Sequence, residues 1–467
     1  MANHGFAFSI QNLAFAASAF VPSCEVMVFR PFGGKRWSLR HEQSADKLAV
    51  RDIVFMIPSK NRISEIVPSP SARAVGSPPL FQKVLTSVCA GIHIESWRLD
   101  QLSVPLPTAA DWGITKTTLR GGRQQGVDII EVNNGHLRFA IIPTRGMSVL
   151  SVESGDVRLG WDSPVKEVVH PQFINLASRN GLGWLEGFNE WLVRCGVEWM
   201  GHPGRDRFRN AAGDEVEMDL TLHGRVGNLP ATEVEVVIEA GPPPRIHIRG
   251  LVEERVFHGP KLSMLADIST ELDSNSVRID DTVTNQGADD QEFQMLYHIN
   301  FGPPLLQAGA RFLGALERVH PFNAHAAEQL DNYASYDGPQ PGFREEVYCL
   351  QPLAGPDGLT ELMLQNAPGD RGVSLAFPVQ QLPFVTLWKN LEVDGYVTGI
   401  EPGTGYPYTR RIEREAGRVP QLAPQSSRQF TIEVAIHADR NSVAAATQRI
   451  QSLQGTEPPT LDSRPLA

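Results

Sequence analysis

Three short segments place residues capable of acid–base chemistry in defined local settings. In Gln291 to Phe301, QEFQMLYHINF, a period of two puts Phe293, Met295, Tyr297, Ile299 and Phe301 on one face of a strand. Gln294, His298 and Asn300 then share the other face, which would suit either a polar cleft or an ordinary solvated surface. In Tyr396 to Pro407, YVTGIEPGTGYP, Glu401 ends a predicted strand before a Pro-Gly turn and shares a face with Val397 and Gly399. Its carboxylate would have room for a ligand, although turn amides could equally hold it. In Leu222 to Pro230, LHGRVGNLP, His223 and Arg225 stand among turn-forming residues, as a displayed pair or as loop decoration. A carboxylate and imidazoles brought to one place would exchange protons with a hydroxyl group as general base and general acid.

The elements that must position these groups read as strands. Beyond Asp111 the chain consists of short apolar runs separated by Gly, Asn, Asp and Pro, including Val127 to Val132, Leu137 to Ile142, Val234 to Ile238, Leu262 to Ile268, Val277 to Val283, Phe293 to Phe301 and Val373 to Phe377. Such a series predicts an antiparallel sandwich or barrel. Two helices are expected. One stripe runs through Trp184, Leu185, Phe188, Trp191, Leu192 and Cys195 and stops at Gly196; the other covers Ser442 to Leu453 before a polar tail. The domain reading is therefore a low-order extension over residues 1–106, or upstream sequence brought in by a misplaced start, or a small accessory subdomain in which Pro79 to Leu99 packs, then an all-β body over 107–440 with a few short helices, then a short helix and polar tail over 441–467.

Composition narrows the chemistry. At 467 residues with 41% hydrophobic side chains, the chain can bury a large core without covalent staples. A net charge of −11 and the absence of a long basic run argue against nucleic acid as a partner. Cys24, Cys89, Cys195 and Cys349 are widely spaced and form no CxxC pair, which signals neither a zinc ribbon nor a disulfide framework. The apolar run from Phe6 to Phe29 has no preceding Lys or Arg and is interrupted by Gln11, Asn12 and Glu25, so it fits neither a secretion signal nor a membrane span. The expected location is cytoplasmic, with no membrane partner. No dinucleotide, phosphate-loop or serine-hydrolase motif appears in a supporting context, and no cofactor or metal is called for.

The three segments also occur within a longer ordered series. LRGGRQQGV begins at Leu119, IIPTRGMSVLSV at Ile141, LGWDSP at Leu159, NGLGWLEGF at Asn180, RCGVEWMGHPG at Arg194, LHGRVGN at Leu222, DDTVTNQG at Asp280, LYHINFGPPLL at Leu296 and GIEPGTGYP at Gly399. From about Thr115 to Ala438 the chain thereby resembles the galactose mutarotase-like superfamily, and more closely its aldose 1-epimerase-like branch of bacterial proteins. The resemblance implies a β-supersandwich with a sugar cleft on one sheet and a metal-free mechanism in which Glu401 is the base and His298 and His223 are its partners. It implies an isomerase that interconverts the anomers of a small-molecule sugar, with Glu401 ionised and His298 protonated in a partly buried pair, and a homodimer is compatible with it. Arg145, Arg179, Asn300 and Lys389 are candidates for binding the substrate, while Trp184, Trp191, Trp199 and Trp388 could stack on a sugar face or fill the core. Two other readings fit the same fold: a non-catalytic carbohydrate-binding module, and an epimerase of a phosphorylated or acidic sugar using Arg145, Arg179 and Lys389.

Overall fold

The computed structural model describes residues 79–106, 108, 111–209 and 212–467. The early apolar run and most of the predicted extension lie outside those residues. Within them the chain is built of strands, with four helices: Ser178–Gly181, Ala324–Ala327, Arg410–Glu415 and Arg440–Gln454.

Two large sheets supply the architecture. One has ten strands in the order Arg311–Gly314, Leu359–Gln365, Gly372–Pro378, Ser427–His437, Ser276–Asn285, Lys261–Glu271, Arg245–Arg255, Glu233–Glu239, Phe81–Ser87 and Ile92–His93. The other has thirteen, and its centre runs Leu316–Pro321, Glu346–Pro352, Phe384–Asn390, Val397–Gly403, Gln294–Phe301, Leu192–Val197 and Ser148–Ser154. The fold is thus the expected all-β supersandwich. Apolar side chains from facing surfaces, such as Ile248, Met264 and Ile279 from the first sheet and Phe139, Val149 and Ile299 from the second, form one continuous core. Face-to-face burial of alternating residues is what holds such sheets together.

Alternation along Gln294–Phe301 works as the sequence suggests. Met295, Tyr297, Ile299 and Phe301 enter the intersheet core, while Leu296 packs in a separate cluster with Trp184, Phe188, Val193 and Val397. A buried polar link also crosses between the sheets at this strand. Arg194 donates from Nη2 to Asp281 at 2.9 Å and from Nη1 to the Met147 carbonyl at 2.6 Å, and the Tyr297 hydroxyl donates to Asp281 at 2.8 Å. Because charge, acceptor and carbonyl are all matched, this fully buried group avoids the penalty of an unpaired ion.

Two expectations require correction. The strand-built body begins at Phe81 rather than after residue 106, because Phe81–Ser87 pairs with Glu233–Glu239 and Ser96–Asp100 pairs with Gly113–Thr118. Leu85 and Leu99 are buried by that pairing. The helical stripe from Trp184 to Cys195 is also not a helix: a single turn over Gly183–Glu186 gives way to the strand Leu192–Val197. Cross-strand bonding to Gln294–Phe301 supplies hydrogen-bond partners for that apolar run, which local spacing alone read as a helix. At the other end the helix Arg440–Gln454 forms as predicted. The Asp439 side chain caps its first amides, and Val443, Ala446 and Ile450 turn inward on Met363.

Candidate active site

The register of the central strands assembles the site. Leu296 pairs with Gly403 and Ile299 with Ile400, so His298 lies directly across from Glu401 on the outer face of the sheet. Thr386 pairs with Glu401 on the next strand, and Trp388 with Gly399. Gly399 is required here: a Cβ would collide with Glu401 Oε1 and lie 3.3 Å from Trp388 Cε3. The strand runs on through Pro402 to Gly403, so Glu401 lies within it rather than at its end.

His298 Nε2 stands 3.2 Å from Glu401 Oε1, with both side chains buried. Oε1 has no hydrogen-bond partner among the described residues, and the same is true of Thr386 Oγ1 beside it. Two buried oxygens without partners on one row of a sheet are suited to hydroxyl groups arriving from a ligand. His298 Nδ1 is 2.7 Å from Asn300 Oδ1. The Asn300 amide is oriented by donation from Nδ2 to the Glu190 carbonyl at 3.1 Å, so its oxygen must face the ring and Nδ1 must carry the proton. In neutral His298 the lone pair is therefore on Nε2, toward Glu401.

His223 arrives from a separate loop. Its backbone is left-handed, with φ of 59°, held by donation of its amide to the Gly201 carbonyl and by its own carbonyl accepting from Gly196. Its Nδ1 bonds to the Met200 carbonyl at 2.9 Å, and its ring centre is 5.3 Å from that of His298. Trp184, Phe188 and Trp388 surround His298 with ring centres at 5.8, 5.1 and 5.4 Å.

Burial dominates the electrostatics. Removal from water, then the nearby charge of Glu345, pushes the Glu401 carboxyl well above the usual carboxylate range. Burial, then repulsion from His223, holds His298 well below the usual histidine range, with the Asn300 hydrogen bond opposing. His223 falls to about 4 through burial, against the Met200 hydrogen bond and with a smaller push from His202. Burial thus opposes the charged form of both groups. The two side chains are fully rather than partly buried, and that burial penalises the charge on each.

Of the residues singled out in the sequence, Glu401, His298, His223 and Asn300 are brought together. Arg145 is not part of that group. It is buried, pairs with Glu190 at 2.7 Å and donates to the Val169 and Gly187 carbonyls, thereby tethering the loop that carries Phe188. Lys389 faces the opposite side of the sheet from Trp388, paired with Glu346 at 2.9 Å beside Tyr336 and Tyr348. Arg179 is exposed, 3.9 Å from Glu186. Trp191 lies in the core and Trp199 packs under Arg225, which leaves Trp184 and Trp388 at the site. Thr386, Phe188 and Glu345 escaped the sequence reading. Only Thr386 had a usable signal, its position on a strand that pairs with the Glu401 strand. Among the described residues no group of three or more His, Cys, Asp or Glu is placed to hold a metal ion, and no helix is long and apolar enough to cross a membrane.

Comparison with known proteins bears on the whole assembly. The model of a domain of unknown function, DUF4432, matches residues 124–436 and so takes in His223, His298 and Glu401. The chain belongs to the DUF4432 family. A crystal structure from Klebsiella pneumoniae subsp. pneumoniae, of a protein described provisionally as an aldose 1-epimerase, is 42% identical to this DUF4432 chain. It covers 83% of this chain and 99% of its own, with a TM-score of 0.78. A galactose mutarotase-like protein from Clostridium acetobutylicum is 12% identical over 74% of this chain and 99% of its own, with a TM-score of 0.48. No curated protein matches the sequence.

Proposed function

We propose that the protein is an aldose 1-epimerase, interconverting the α and β anomers of a small sugar by acid–base catalysis. The observation that carries this reading is the contact of His298 Nε2 with Glu401 Oε1 at 3.2 Å, with Oε1 lacking a hydrogen-bond partner among the described residues. Mutarotation requires one proton to leave the anomeric hydroxyl and one to reach the ring oxygen, so the catalytic pair must hold one proton in total. The Glu401–His298 pair holds one in either arrangement, as neutral acid and imidazole or as carboxylate and imidazolium.

In the charged arrangement Glu401 takes the hydroxyl proton while His298 delivers its own to the ring oxygen. The C1–O5 bond breaks and a carbonyl forms at C1. Rotation about C1–C2 and reversal of both transfers close the ring on the other face, so each group acts once in each sense. His223, neutral at working pH and protonated on Nδ1, presents Nε2 as an acceptor for a sugar hydroxyl. Trp184 and Trp388 flank the space with apolar faces suited to a pyranose. The supporting similarity is that of the Klebsiella pneumoniae protein, whose own description is provisional.

The test is exchange of anomers measured by NMR across a panel of aldoses. Wild type should accelerate exchange for at least one, and Glu401→Gln should slow it by about 10² to 10⁴, the usual worth of a general base, while sugar binding persists. A wild type that binds sugars and never speeds their exchange would assign the fold to carbohydrate binding alone.

A further inference from the structure

Glu345 is a carboxylate that the acid–base chemistry does not use. It is exposed, one residue before the strand Glu346–Pro352, and its Oε2 accepts a hydrogen bond of 3.0 Å from Trp388 Nε1. The same indole stands 5.4 Å from the His298 ring, and its Cε3 edge flanks the position over Gly399 where Glu401 Oε1 lies. Trp388 therefore joins Glu345 to the reacting pair, with its N–H directed at one carboxylate and its ring edge at the other. Both Glu401 and His202 respond electrostatically to Glu345, which agrees with a position beside the site.

Two of the three cations considered for an acidic substrate group are committed elsewhere, and the third, Arg179, is exposed 3.9 Å from Glu186. Arg145 is neutralised by Glu190 at 2.7 Å and Lys389 by Glu346 at 2.9 Å, both buried. A substrate approaching Trp388 thus meets a fixed negative charge at Glu345. We infer that Glu345 is a substrate-contacting residue that selects uncharged sugars over anionic ones. The inference rests on the aldose reading and names the substrate class for that site. Hydroxyl groups can donate to the free lone pairs of Glu345, whereas a carboxylate or phosphate meets like charge and has no donor to offer.

The experiment compares D-glucose with D-glucuronate and D-glucose 6-phosphate. Binding is followed by saturation-transfer NMR and anomer exchange by exchange spectroscopy, in wild type, Glu345→Gln and, as a neighbouring charge control, Arg344→Gln. Wild type should prefer the neutral sugar, and Glu345→Gln should reduce that preference about tenfold at low salt, with most of the difference erased near 1 M salt as the screening length shrinks to about 3 Å. Arg344→Gln should leave the preference within about twofold. An unchanged preference in Glu345→Gln, or an equal change in Arg344→Gln, overturns the assignment while leaving the epimerase reading intact. Charge-selective binding without accelerated exchange would uphold Glu345 and remove the epimerase reading, and absence of binding to any of the sugars would remove both.

Discussion

The Oε1 oxygen of Glu401 lies over Gly399, in space that any side chain at that position would fill. The glycine and the carboxylate are two residues apart on one strand and point to the same face, so the smallness of one sets the reach of the other toward His298. Gly399→Ala should cost about 1 to 3 kcal/mol in stability, the usual range for overpacking, and a much larger share of activity. The check is thermal unfolding alongside anomer exchange. Loss of stability with full activity would show that Glu401 can work from another position.

The rate profile against pH should be broad. With His298 lowered and Glu401 raised, the one-proton state of the pair extends below the usual histidine range on the acid side and above the usual carboxylate range on the alkaline side. Activity should fall only when His298 gains a proton at low pH or Glu401 loses one at high pH. A narrow bell confined between the ordinary values of 4.5 for a glutamate and 6.5 for a histidine would contradict the inverted order.

Asn300 sets which nitrogen of His298 carries the proton. Asn300→Asp places an acceptor charge at Nδ1, which favours imidazolium, so the acid limb of the profile should move to higher pH with the fold retained. A variant whose limb stays in place would show that the 2.7 Å contact does not govern the ring.

Burial of neutral His223 ties stability to pH. The unfolded chain protonates this histidine below its ordinary value of 6.5, while the folded chain does so only at about 4. The unfolded state thus binds more protons across that window, and stability is lost as pH falls through it, by about 3 kcal/mol in total before levelling off. Urea unfolding between pH 7 and 4 should therefore give a shallower decline for His223→Gln than for wild type. Equal slopes would remove His223 as a source of acid sensitivity.

The placement of Phe81–Ser87 and Ser96–Asp100 in the two sheets changes what truncation should do. A chain starting at residue 79 should unfold cooperatively. One starting at 107 loses buried Leu85, Leu99 and Leu106, each worth about 1.5 to 3 kcal/mol, and exposes the edge of Glu233–Glu239 to aggregation. Calorimetry and size-exclusion chromatography of both truncated chains would decide, with equal behaviour of the two counting against the role given to these strands.

The sequence revealed most where a two-residue period meets a mixed face. His298 and Asn300 could be assigned to one side of a strand because Tyr297 and Ile299 so plainly belong to the other. Glu401 was legible for a related reason, through the small residue two positions before it. The helix expected from Trp184 to Cys195 failed because an apolar run has no unique period, and the strand partner that decided the matter lies about a hundred residues away in sequence. Arg145 and Lys389 looked like ligands because a sequence shows a charge without its counter-charge. Glu190 and Glu346 become their partners only when the chain is folded. The direction in which burial shifts His298 and Glu401 was beyond reach for the same reason, since depth of burial is a property of the assembled sheets.

The Arg194–Asp281 link stands directly behind the reacting pair, because Tyr297, which shares Asp281, is the residue next to His298. A slip of one position along this strand would carry Tyr297 outward and His298 into the intersheet core, so the arrangement that locks the sheets together also locks His298 into place. Diversification of such a scaffold toward other substrates is thereby channelled away from its strands. It falls to the connecting segments around Trp184, His202 and Glu345, which can vary without disturbing the register on which both the fold and the His298–Glu401 contact depend.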